Sequence, residues 1–248
     1  MLVVVVENYD ELSKDGAKAV ASLVRKKPDC VLGFATGSTP LGMYAELIRM
    51  HKEEGLDFSK VVTFNLDEYV GLPPAHERSY HHFMWKNLFD HVNVNPRYVH
   101  IPDGMADDVV EQCDWYERKI EEFGGIDLQI LGIGVNGHIA FNEPGSSLGS
   151  RTRIKTLKET TRRDNARFFD SLNEVPEYAI TMGVGTIMEA HGLLLLASGT
   201  EKADAVAATV EGPITAKYPA TIVQMHRFAT ILIDRDAAAN LQGDYSGF

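Results

Sequence analysis

The sequence is poor in the residues that build disulfide frameworks and metal centres. It has two cysteines in 248 residues, Cys30 and Cys113, which are too few for a disulfide framework and form no metal-type pair. Adjacent His81 and His82 would face different directions on a helix and make a poor metal pair. We therefore expect no metal site and a reducing, cytoplasmic setting.

Long apolar runs are also missing. No stretch approaches the roughly 20 apolar residues that a membrane span requires. The N-terminal stretch has a short apolar run followed by acids, and it lacks the basic start and longer apolar region of a signal peptide. The sequence therefore predicts a protein without membrane association.

The chain also has few positively charged residues relative to negatively charged ones. The chain has 24 Lys and Arg against 35 Asp and Glu, a formal net charge of −11. This balance disfavours nucleic-acid binding, which depends on neutralising phosphates with Lys and Arg. It does not exclude an anionic small substrate, because a local group of cations and backbone N–H groups can bind one.

Short apolar runs alternate with amphipathic stretches along nearly the whole chain. Predicted strands cover residues 2–6, 30–35, 61–66, 126–134, 178–183, 192–198 and 229–234. Predicted helices cover residues 10–27, 39–55, 80–92, 107–125, 161–172 and 201–212, with a short helix near 185–190. Nearly continuous apolar strands between helices indicate a parallel sheet covered on both faces. We predict one α/β domain over residues 1–248, doubly wound and Rossmann-like, with a mostly parallel sheet.

Ligands in such folds bind beyond the carboxyl ends of the strands, so the strand-to-loop junctions are the places to search. At the first, Thr36, Gly37, Ser38 and Thr39 precede Pro40. We expect Pro40 to be the first helical residue and Ser38 or Thr39 to cap the helix. Hydroxyls and N–H groups at a helix N-terminus suit a phosphate. An ordinary capped turn is the alternative.

The second junction carries acids. A strand of buried character runs into Asn65, Asp67, Glu68 and Tyr69. A carboxylate at the end of a parallel strand is well placed for general acid–base work. The alternative for any one of these acids is a helix cap or a solvated loop. Two adjacent acids at a strand end favour a functional interpretation.

The third junction contains a Gly-x-Gly-x-x-Gly string, Gly132, Gly134 and Gly137, which is typical of dinucleotide-binding loops. That fingerprint requires a helix directly after the glycines. Pro144 and Gly145 follow instead, so a long helix cannot run through this stretch. We therefore reject a nicotinamide-dependent oxidoreductase on context.

What remains in the third junction is a loop with Asn136, His138 and Glu143. A histidine can take and return protons near neutral pH, and a nearby carboxylate can fix its tautomer and stabilise its charged form. No serine or cysteine lies in a nucleophile-elbow context. The loop therefore predicts proton transfer rather than acyl-enzyme chemistry, with a structural histidine as the alternative.

Two groups of cations are candidates for binding an anion. Arg163 and Arg167 share a predicted helical face at four-residue spacing. Lys202 follows another strand end. These cations could converge on one phosphate with the Thr36–Thr39 loop, whereas a solvated basic face suits Arg151 and Lys158 better.

Taken together, these stretches resemble the glucosamine-6-phosphate deaminase family. The residues that carry the resemblance are "TGSTPLGMY", "NLDEYVGL", "GIGVNGHIAFNEPGSS", "SRTRIKTL", "NARFF" and "ITMGVGTIMEA". It runs from near the N-terminus to about Asp234. It implies a cofactor-free isomerisation with deamination, from glucosamine 6-phosphate to fructose 6-phosphate and ammonia.

The resemblance also implies roles for individual residues. Asp67 would move the proton between sugar C2 and C1, and His138 would open the pyranose ring with help from Asn136 and Glu143. The phosphate would lie on the Ser38–Thr39 loop with Arg167 and Lys202. The expected catalytic residues are Asp67, Asn136, His138 and Glu143. The expected phosphate-binding residues are Thr36, Gly37, Ser38, Thr39, Arg167 and Lys202.

Two departures from the family pattern affect these expectations. Some members have Asp where this chain has Asn136, so we expect Glu143 to carry the electrostatic role and the pKa of His138 to be lower than in an Asp form. Some members are hexamers activated by N-acetylglucosamine 6-phosphate. Arg153 and Lys155 match their effector segment, but the C-terminal extension has no clear counterpart. We expect weak or no activation, in either a monomer or a homo-oligomer.

Three other functions compete with the deaminase. A 6-phosphogluconolactonase is the nearest rival, since it has a similar Gly-Ser-Thr-Pro loop and Gly-His turn. A deaminase for the epimer, galactosamine 6-phosphate, is the second. The third is a non-catalytic sugar-phosphate sensor; such regulators carry a DNA-binding module, which we do not expect here because the first strand starts at residue 2.

Overall fold

The computed structural model describes residues 1–157, 171 and 174–245. The strands are β1 (Leu2–Val6), β2 (Val31–Phe34), β3 (Val62–Asn65), β4 (Asp67–Tyr69), β5 (Val99–His100), β6 (Leu128–Gly132), β7 (Arg153–Thr156), β8 (Tyr178–Thr181), β9 (Leu193–Ala197) and β10 (Ala229–Asp234). The helices are α1 (Tyr9–Lys26), α2 (Leu41–Glu54), α3 (Tyr80–Asn87), α4 (Val109–Glu122), α5 (Val184–Met188) and α6 (Ala203–Glu211). No helix in these described stretches is long and apolar enough to cross a membrane.

Seven strands form a central sheet in the order β1-β10-β9-β6-β2-β3-β5. Every neighbouring pair in this sheet is parallel. Helices α1 and α2 cover one face, and α4, α5 and α6 cover the other. The predicted doubly wound α/β fold is confirmed.

The central strands are apolar on both sides because helices cover both faces of the sheet. In β9, Leu194 and Leu196 pack into the core under α1 and α2, whereas Leu193 and Leu195 pack into the core under the opposite helices. Successive side chains of a strand point to opposite faces, so an unbroken run of leucines fills two cores at once. This explains why the sequence lacks an alternating polar pattern here.

A second sheet corrects the predicted strand arrangement. Strand β8, predicted as part of the parallel sheet, pairs antiparallel with β4 and β7 in a separate three-stranded sheet. The short strands β4, β5 and β7 were not predicted. The predicted helix over 161–172 falls almost entirely outside the described residues.

The order of the strands gathers the predicted functional loops. Strands β9, β6, β2 and β3 are consecutive neighbours in the sheet and all run in one direction. Their carboxyl ends therefore lie side by side along one edge. The three junctions identified in the sequence and the loop that precedes Lys202 all start from this edge.

Candidate active site

A cavity of about 1190 Å³ opens at this edge of the sheet. Four loops line it, each following one of the strands β2, β3, β6 and β9. The lining includes most of the predicted site residues, namely Thr36, Gly37, Ser38, Thr39, Asp67, His138 and Lys202. Groups from all four loops therefore face one cavity.

The loop after β2 presents small polar groups to the cavity. Ser38 and Gly37 are exposed, and Thr36 and Thr39 are half-buried. Gly37 has a φ of +108°, a conformation that side chains disfavour, and a Cβ there would meet no atom within 4 Å. The glycine is thus required by the turn itself, and its α-carbon faces open space.

The expected cap of helix α2 was wrong. Helix α2 begins at Leu41, Pro40 stands at the cap position, and no side chain there donates or accepts a capping hydrogen bond. The hydroxyl of Tyr9, at the start of α1, instead accepts the Gly42 N–H at 2.8 Å. The same hydroxyl lies 3.1 Å from the Ser38 carbonyl and 3.0 Å from the Thr39 carbonyl. A distant side chain supplies the cap that the local sequence was expected to provide.

Lys202 reaches the cavity from the loop after β9. It ends the short turn Thr200–Lys202 and directly precedes helix α6. Asp234, at the end of the neighbouring strand β10, fixes the start of this loop by accepting hydrogen bonds from the Ser198 hydroxyl at 2.5 Å and the Gly199 N–H at 3.1 Å. Lys202 is therefore held on a braced loop, although the sequence offered it only as an isolated cation.

Of the remaining cations considered for the anion, only Arg151 belongs to the described residues, and it does not line the cavity. Arg163, Arg167 and Lys158 lie outside the described residues. Arg151 forms ion pairs with Glu117 at 2.6 Å and with Glu189 at 2.5 Å, so it is held by carboxylates rather than fully solvated.

Asp67 is the first residue of β4 and is 6% exposed. Its backbone pairs with Thr181 of β8, so the small antiparallel sheet holds the residue at the floor of the cavity. Burial, followed by the negative charge of Glu68, raises the pKa of the Asp67 carboxyl to about 8. A carboxyl tuned to this range can both accept and return a proton near neutral pH.

Glu68 differs from Asp67 in that its carboxylate is bound to backbone N–H groups. Its carboxylate accepts the backbone N–H groups of Tyr69, Tyr80 and His81 at 2.8–2.9 Å. Two of these donors belong to the first turn of α3, where a helix has unpaired N–H groups and a negative charge is favoured. Burial nevertheless raises the pKa of Glu68 to about 7, against the lowering effect of these bonds. Of the two acids, Glu68 fits the anchoring alternative and Asp67 the functional one.

The loop after β6 holds a hydrogen-bonded relay. The Nδ1 atom of His138 lies 2.7 Å from Oδ1 of Asn136, and Nδ2 of Asn136 donates to Oε2 of Glu143 at 2.9 Å. Glu143 is 4% exposed, and its Oε1 is 3.7 Å from the His138 Nδ1. The three residues predicted from the loop are thus brought together.

The relay fixes the protonation pattern of the histidine. A carboxylate only accepts hydrogen bonds, so Glu143 turns the NH₂ group of Asn136 toward itself and the amide oxygen toward His138. That oxygen also only accepts, so Nδ1 of His138 carries a proton. In the neutral ring the lone pair is then on Nε2, which makes Nε2 the basic atom of a side chain that lines the cavity.

Two glycines of this loop, Gly134 and Gly137, make room for the side chains of His138 and Tyr218 rather than for a nucleotide. A Cβ on Gly134 would lie 2.1–2.5 Å from atoms of the His138 ring. Gly137 has a φ of +78°, and a Cβ there would meet the Tyr218 ring at 2.7 Å. No helix is formed between residues 133 and 152, a stretch that the structure describes in full. The rejection of a dinucleotide fingerprint is consistent with this geometry.

Sequence reasoning missed several lining residues. Tyr80, from the start of α3, stacks on Phe141 with an interplanar angle of 9° and a centroid distance of 6.1 Å, and both line the cavity. Tyr9 and Glu201 also line it. Phe141 lies between His138 and Glu143, and Glu201 directly precedes Lys202, so predicted residues stood beside both of them. Tyr9 had no such neighbour. Across the described parts of the chain, no cluster of three or more His, Cys, Asp or Glu is arranged to hold a metal ion.

Comparison with known proteins places these features in a family. The family model for glucosamine-6-phosphate isomerases/6-phosphogluconolactonase matches residues 6–232. The glucosamine-6-phosphate deaminase of Thermoanaerobacter sp. (strain X514) is 54% identical over 239 residues, covering 96% of this chain and 94% of its own. That of Halothermothrix orenii is 54% identical over 241 residues, covering 97% and 100%.

Solved structures agree on the fold. A monomeric glucosamine-6-phosphate deaminase superposes with a TM-score of 0.95 at 47% identity, covering 97% of this chain and 100% of its own. The 6-phosphogluconolactonase from Trypanosoma cruzi superposes with a TM-score of 0.77 at 20% identity, covering 98% and 97%, and so shares the fold alone. The chain belongs to the glucosamine-6-phosphate isomerase/6-phosphogluconolactonase family, and within it groups with the glucosamine-6-phosphate deaminases.

Proposed function

We propose that this chain converts glucosamine 6-phosphate and water into fructose 6-phosphate and ammonia. The observation that carries the proposal is a single cavity lined by a tuned carboxyl, Asp67, and by the relayed histidine, His138, together with a phosphate-type loop. Relatives with 51–54% identity over nearly the whole chain are named glucosamine-6-phosphate deaminase.

The phosphate end of the substrate binds the loop from Thr36 to Thr39. The first turn of α2 supplies a positive helix end, and the hydroxyls of Ser38 and Thr39 add donors. Lys202 adds a positive charge from the opposite loop, and we retain Arg167 as a further phosphate ligand on the family resemblance. Binding energy from this remote group orients the reacting carbons, which accelerates the chemical step.

His138 opens the pyranose ring. Its Nε2 accepts the proton of the O1 hydroxyl, and the imidazolium returns a proton to the ring oxygen as the C1–O5 bond breaks. Glu143, through the Asn136 amide and its own 3.7 Å approach to Nδ1, stabilises the transient positive charge. The products of this step are the open-chain aldehyde and a neutral histidine.

Asp67 then moves a proton along the open chain. Its carboxylate removes the proton from C2 while one proton of the substrate's ammonium group passes to O1, which gives an enol with a neutral amino group on C2. The carboxylic acid returns the proton to C1, and C2 becomes a protonated imine. Water adds to this imine, the C–N bond breaks, ammonia leaves, and C2 becomes the ketone of fructose 6-phosphate.

The raised pKa of Asp67 suits this sequence of events. Before substrate binds, burial keeps the carboxyl largely neutral near pH 7. A substrate carrying an ammonium group on C2 places a positive charge next to it, and an opposite charge stabilises the carboxylate form. Substrate binding therefore generates the base where it is needed, and the acid form remains accessible for the return of the proton.

The rival reactions make different demands on the same cavity. Opening of 6-phosphogluconolactone needs an activated water and neither moves a proton from C2 to C1 nor releases ammonia. Galactosamine 6-phosphate would undergo the same chemistry as the glucosamine epimer. A sensor would bind a sugar phosphate without turning it over, and the Asp67 and His138 arrangement would then have no use.

The deciding experiment is a product assay with purified protein and glucosamine 6-phosphate, without added metal or nucleotide. We expect equal amounts of ammonia and fructose 6-phosphate. Replacement of Asp67 by Asn should lower the rate about 10²–10⁴-fold, the usual contribution of a general base. The control is Asp236→Asn, since Asp236 is exposed and does not line the cavity.

If no ammonia is released, the proposal is rejected, and the same protein is assayed with 6-phosphogluconolactone and with galactosamine 6-phosphate to separate the rivals. Turnover of 6-phosphogluconolactone alone would establish the lactonase, and ammonia from galactosamine 6-phosphate alone would establish the epimer-specific enzyme. Binding of these sugars without turnover would establish a sensor.

Several properties follow from the same proposal. The enzyme works without a cofactor, because every step above is a proton transfer, a hydration or a bond cleavage between heavy atoms. We propose a monomer, in keeping with the monomeric deaminase that it superposes on. We also assign it to the cytoplasm and to amino-sugar use, including N-acetylglucosamine utilisation, because Cys30 and Cys113 are free and buried thiols and its substrate is a phosphorylated amino sugar.

A further inference from the structure

The phosphate loop is braced by a residue from another element. Tyr9 is the first residue of α1, and it lies 29 to 33 positions before the groups that its hydroxyl contacts. This oxygen accepts the Gly42 N–H and donates a hydrogen shared between the Ser38 and Thr39 carbonyls. One side-chain atom thus connects the end of the loop to the first turn of α2.

This contact requires a close approach between the two helices. A Cβ at Gly42 would lie 2.1 Å from the Ser13 hydroxyl and 3.0 Å from Cε1 of the Tyr9 ring. Only glycine lets α1 and α2 come near enough for the Tyr9 hydroxyl to reach the backbone of residue 42. The sequence therefore has both halves of the brace, a tyrosine in α1 and a glycine in α2.

The brace fixes the direction of a backbone donor. The C=O and N–H groups of a trans peptide point in opposite directions. Because the Ser38 carbonyl points to the Tyr9 hydroxyl, the N–H of Thr39 in the same peptide is turned away from it. The loop thereby keeps one orientation of its N–H groups instead of reorganising when an anion arrives.

The brace also frees the local side chains from capping. A Ser or Thr directly before a helix usually accepts a hydrogen bond from the first turn. Here Tyr9 accepts it, and no capping hydrogen bond is made by a side chain of the loop. The hydroxyls of Ser38 and Thr39 can then serve a ligand at the cavity surface.

We infer that Tyr9 is a positioning residue for phosphate recognition: its hydroxyl preorganises the Ser38–Thr39 backbone for a phosphate monoester or inorganic phosphate. The choice of glucosamine 6-phosphate as the substrate in this inference rests on the proposed function. The binding of phosphate itself does not. It assigns a role in binding to a residue that is remote in sequence from the phosphate loop and takes no part in the proton transfers.

The test is Tyr9→Phe, which removes one oxygen and keeps the ring. We expect KM for glucosamine 6-phosphate to rise about tenfold and kcat to stay within about twofold, as for the loss of one hydrogen bond that acts on binding. The dissociation constant of inorganic phosphate, measured by calorimetry, should rise by the same factor. The control is Tyr245→Phe, which removes a hydroxyl bonded to Glu211 outside the cavity and should change neither constant.

The phosphate titration separates the two proposals, because it does not require turnover. If the wild type binds phosphate but releases no ammonia, the proposed reaction fails and the Tyr9 comparison still gives a result. Equal phosphate affinity in wild type and Tyr9→Phe would overturn the inference. A lower melting temperature with unchanged KM and unchanged phosphate affinity would also overturn it, since that is the signature of a merely structural contact.

Discussion

The two ends of the cavity differ in the groups that they present and in how deeply those groups are buried. At the phosphate end, exposed and half-buried loop residues present backbone and hydroxyl groups, and side chains from other elements, Tyr9 and Asp234, hold the loops in place. At the reacting end, the carboxyls of Asp67 and Glu143 are buried, and His138, which lines the cavity, is half-buried. Anion binding needs many oriented dipoles and tolerates water, whereas proton transfer needs a shifted pKa, which burial provides first of all in Asp67.

This difference predicts how each end of the cavity responds to substitutions. The phosphate end depends on the orientation of its backbone, so we expect it to fail gradually when a brace is removed. The reacting end depends on sub-ångström placement and on charge, so we expect it to fail abruptly. The four predictions below test this contrast, from the largest expected effect to the smallest.

The largest of these four effects should come from adding one methyl group beside the histidine. In Gly134→Ala, the new Cβ would lie 2.1 Å from Cε1 of His138, so the ring must move. We expect kcat to fall about 100-fold, the usual cost of displacing a catalytic group by about 1 Å. Phosphate affinity should stay within about twofold of the wild type, because the other end of the cavity is unchanged.

Gly149→Ala is the matched control for Gly134→Ala, since its Cβ would meet no atom within 4 Å. Steady-state kinetics and phosphate calorimetry on both variants complete the comparison. A Gly134→Ala enzyme with normal kcat would show that the ring has room to adjust and that the reacting end tolerates displacement.

The second effect concerns the charge of the relay. In Asn136→Asp, a carboxylate would lie 2.7 Å from His138 Nδ1 and about as close to Glu143 as the amide is now, 2.9 Å. The added negative charge should raise the pKa of His138 and shift the corresponding limb of the kcat/KM profile upward by about one pH unit, a tenfold change on that limb. Superimposable profiles would refute the electrostatic role of this position.

The third effect is on the free energy of unfolding, which the raised pKa of Asp67 lowers at high pH. Its pKa is about 8 in the folded protein against 3.8 ordinarily, so the unfolded chain loses this proton at a lower pH. Stability is therefore lost as pH rises from about 4 to about 8. In urea titrations, Asp67→Asn should have a higher free energy of unfolding than the wild type at pH 8, by about 1–3 kcal/mol.

The advantage of Asp67→Asn should shrink toward pH 4, because the wild-type carboxyl is neutral in the folded protein and only partly ionised in the unfolded chain at that pH. Comparing the two proteins at each pH removes the contributions of all other titrating groups. A stability difference that is the same at pH 4 and pH 8 would contradict burial of an ionisable Asp67.

The smallest effect is regulatory. We expect a hyperbolic dependence of rate on glucosamine 6-phosphate, and a change of less than about twofold when N-acetylglucosamine 6-phosphate is added. Arg153 matches part of an effector segment, but in this structure its guanidinium donates to Oδ1 of Asn142 at 2.9 Å. A sigmoidal curve that the effector makes hyperbolic would disprove this expectation.

The sequence predicted the parts of the site that are carried by local patterns. Asp67, His138 and Glu143 each follow an apolar strand within a short distance, and the parallel fold predicts that strand ends meet. The grouping of Asn136, His138 and Glu143 also depends on one loop only. These residues could be chosen without knowing any strand order.

The remaining features depend on contacts that no local pattern encodes. Strand β5 has two residues and β4 has three, which is too short for a periodic signal. Strand β8 has the apolar character of a central strand, yet its partners are β4 and β7, and pairing is set by long-range packing. Tyr9 contacts a loop about 30 residues away, and its position at a helix start gave no sign of this.

The assembly of the cavity from four separate loops has a consequence for folding. These loops begin near residues 35, 66, 133 and 198, and they meet only after strands β2, β3, β6 and β9 have paired across long stretches of chain. Such non-local pairing is slow, because loop closure costs entropy before any contact forms. A fragment that lacks any one of these strands should therefore have no activity, rather than a fraction of it. During refolding, recovery of turnover will therefore mark the pairing of these four strands, and activity becomes a measure of when the long-range contacts of the sheet have formed.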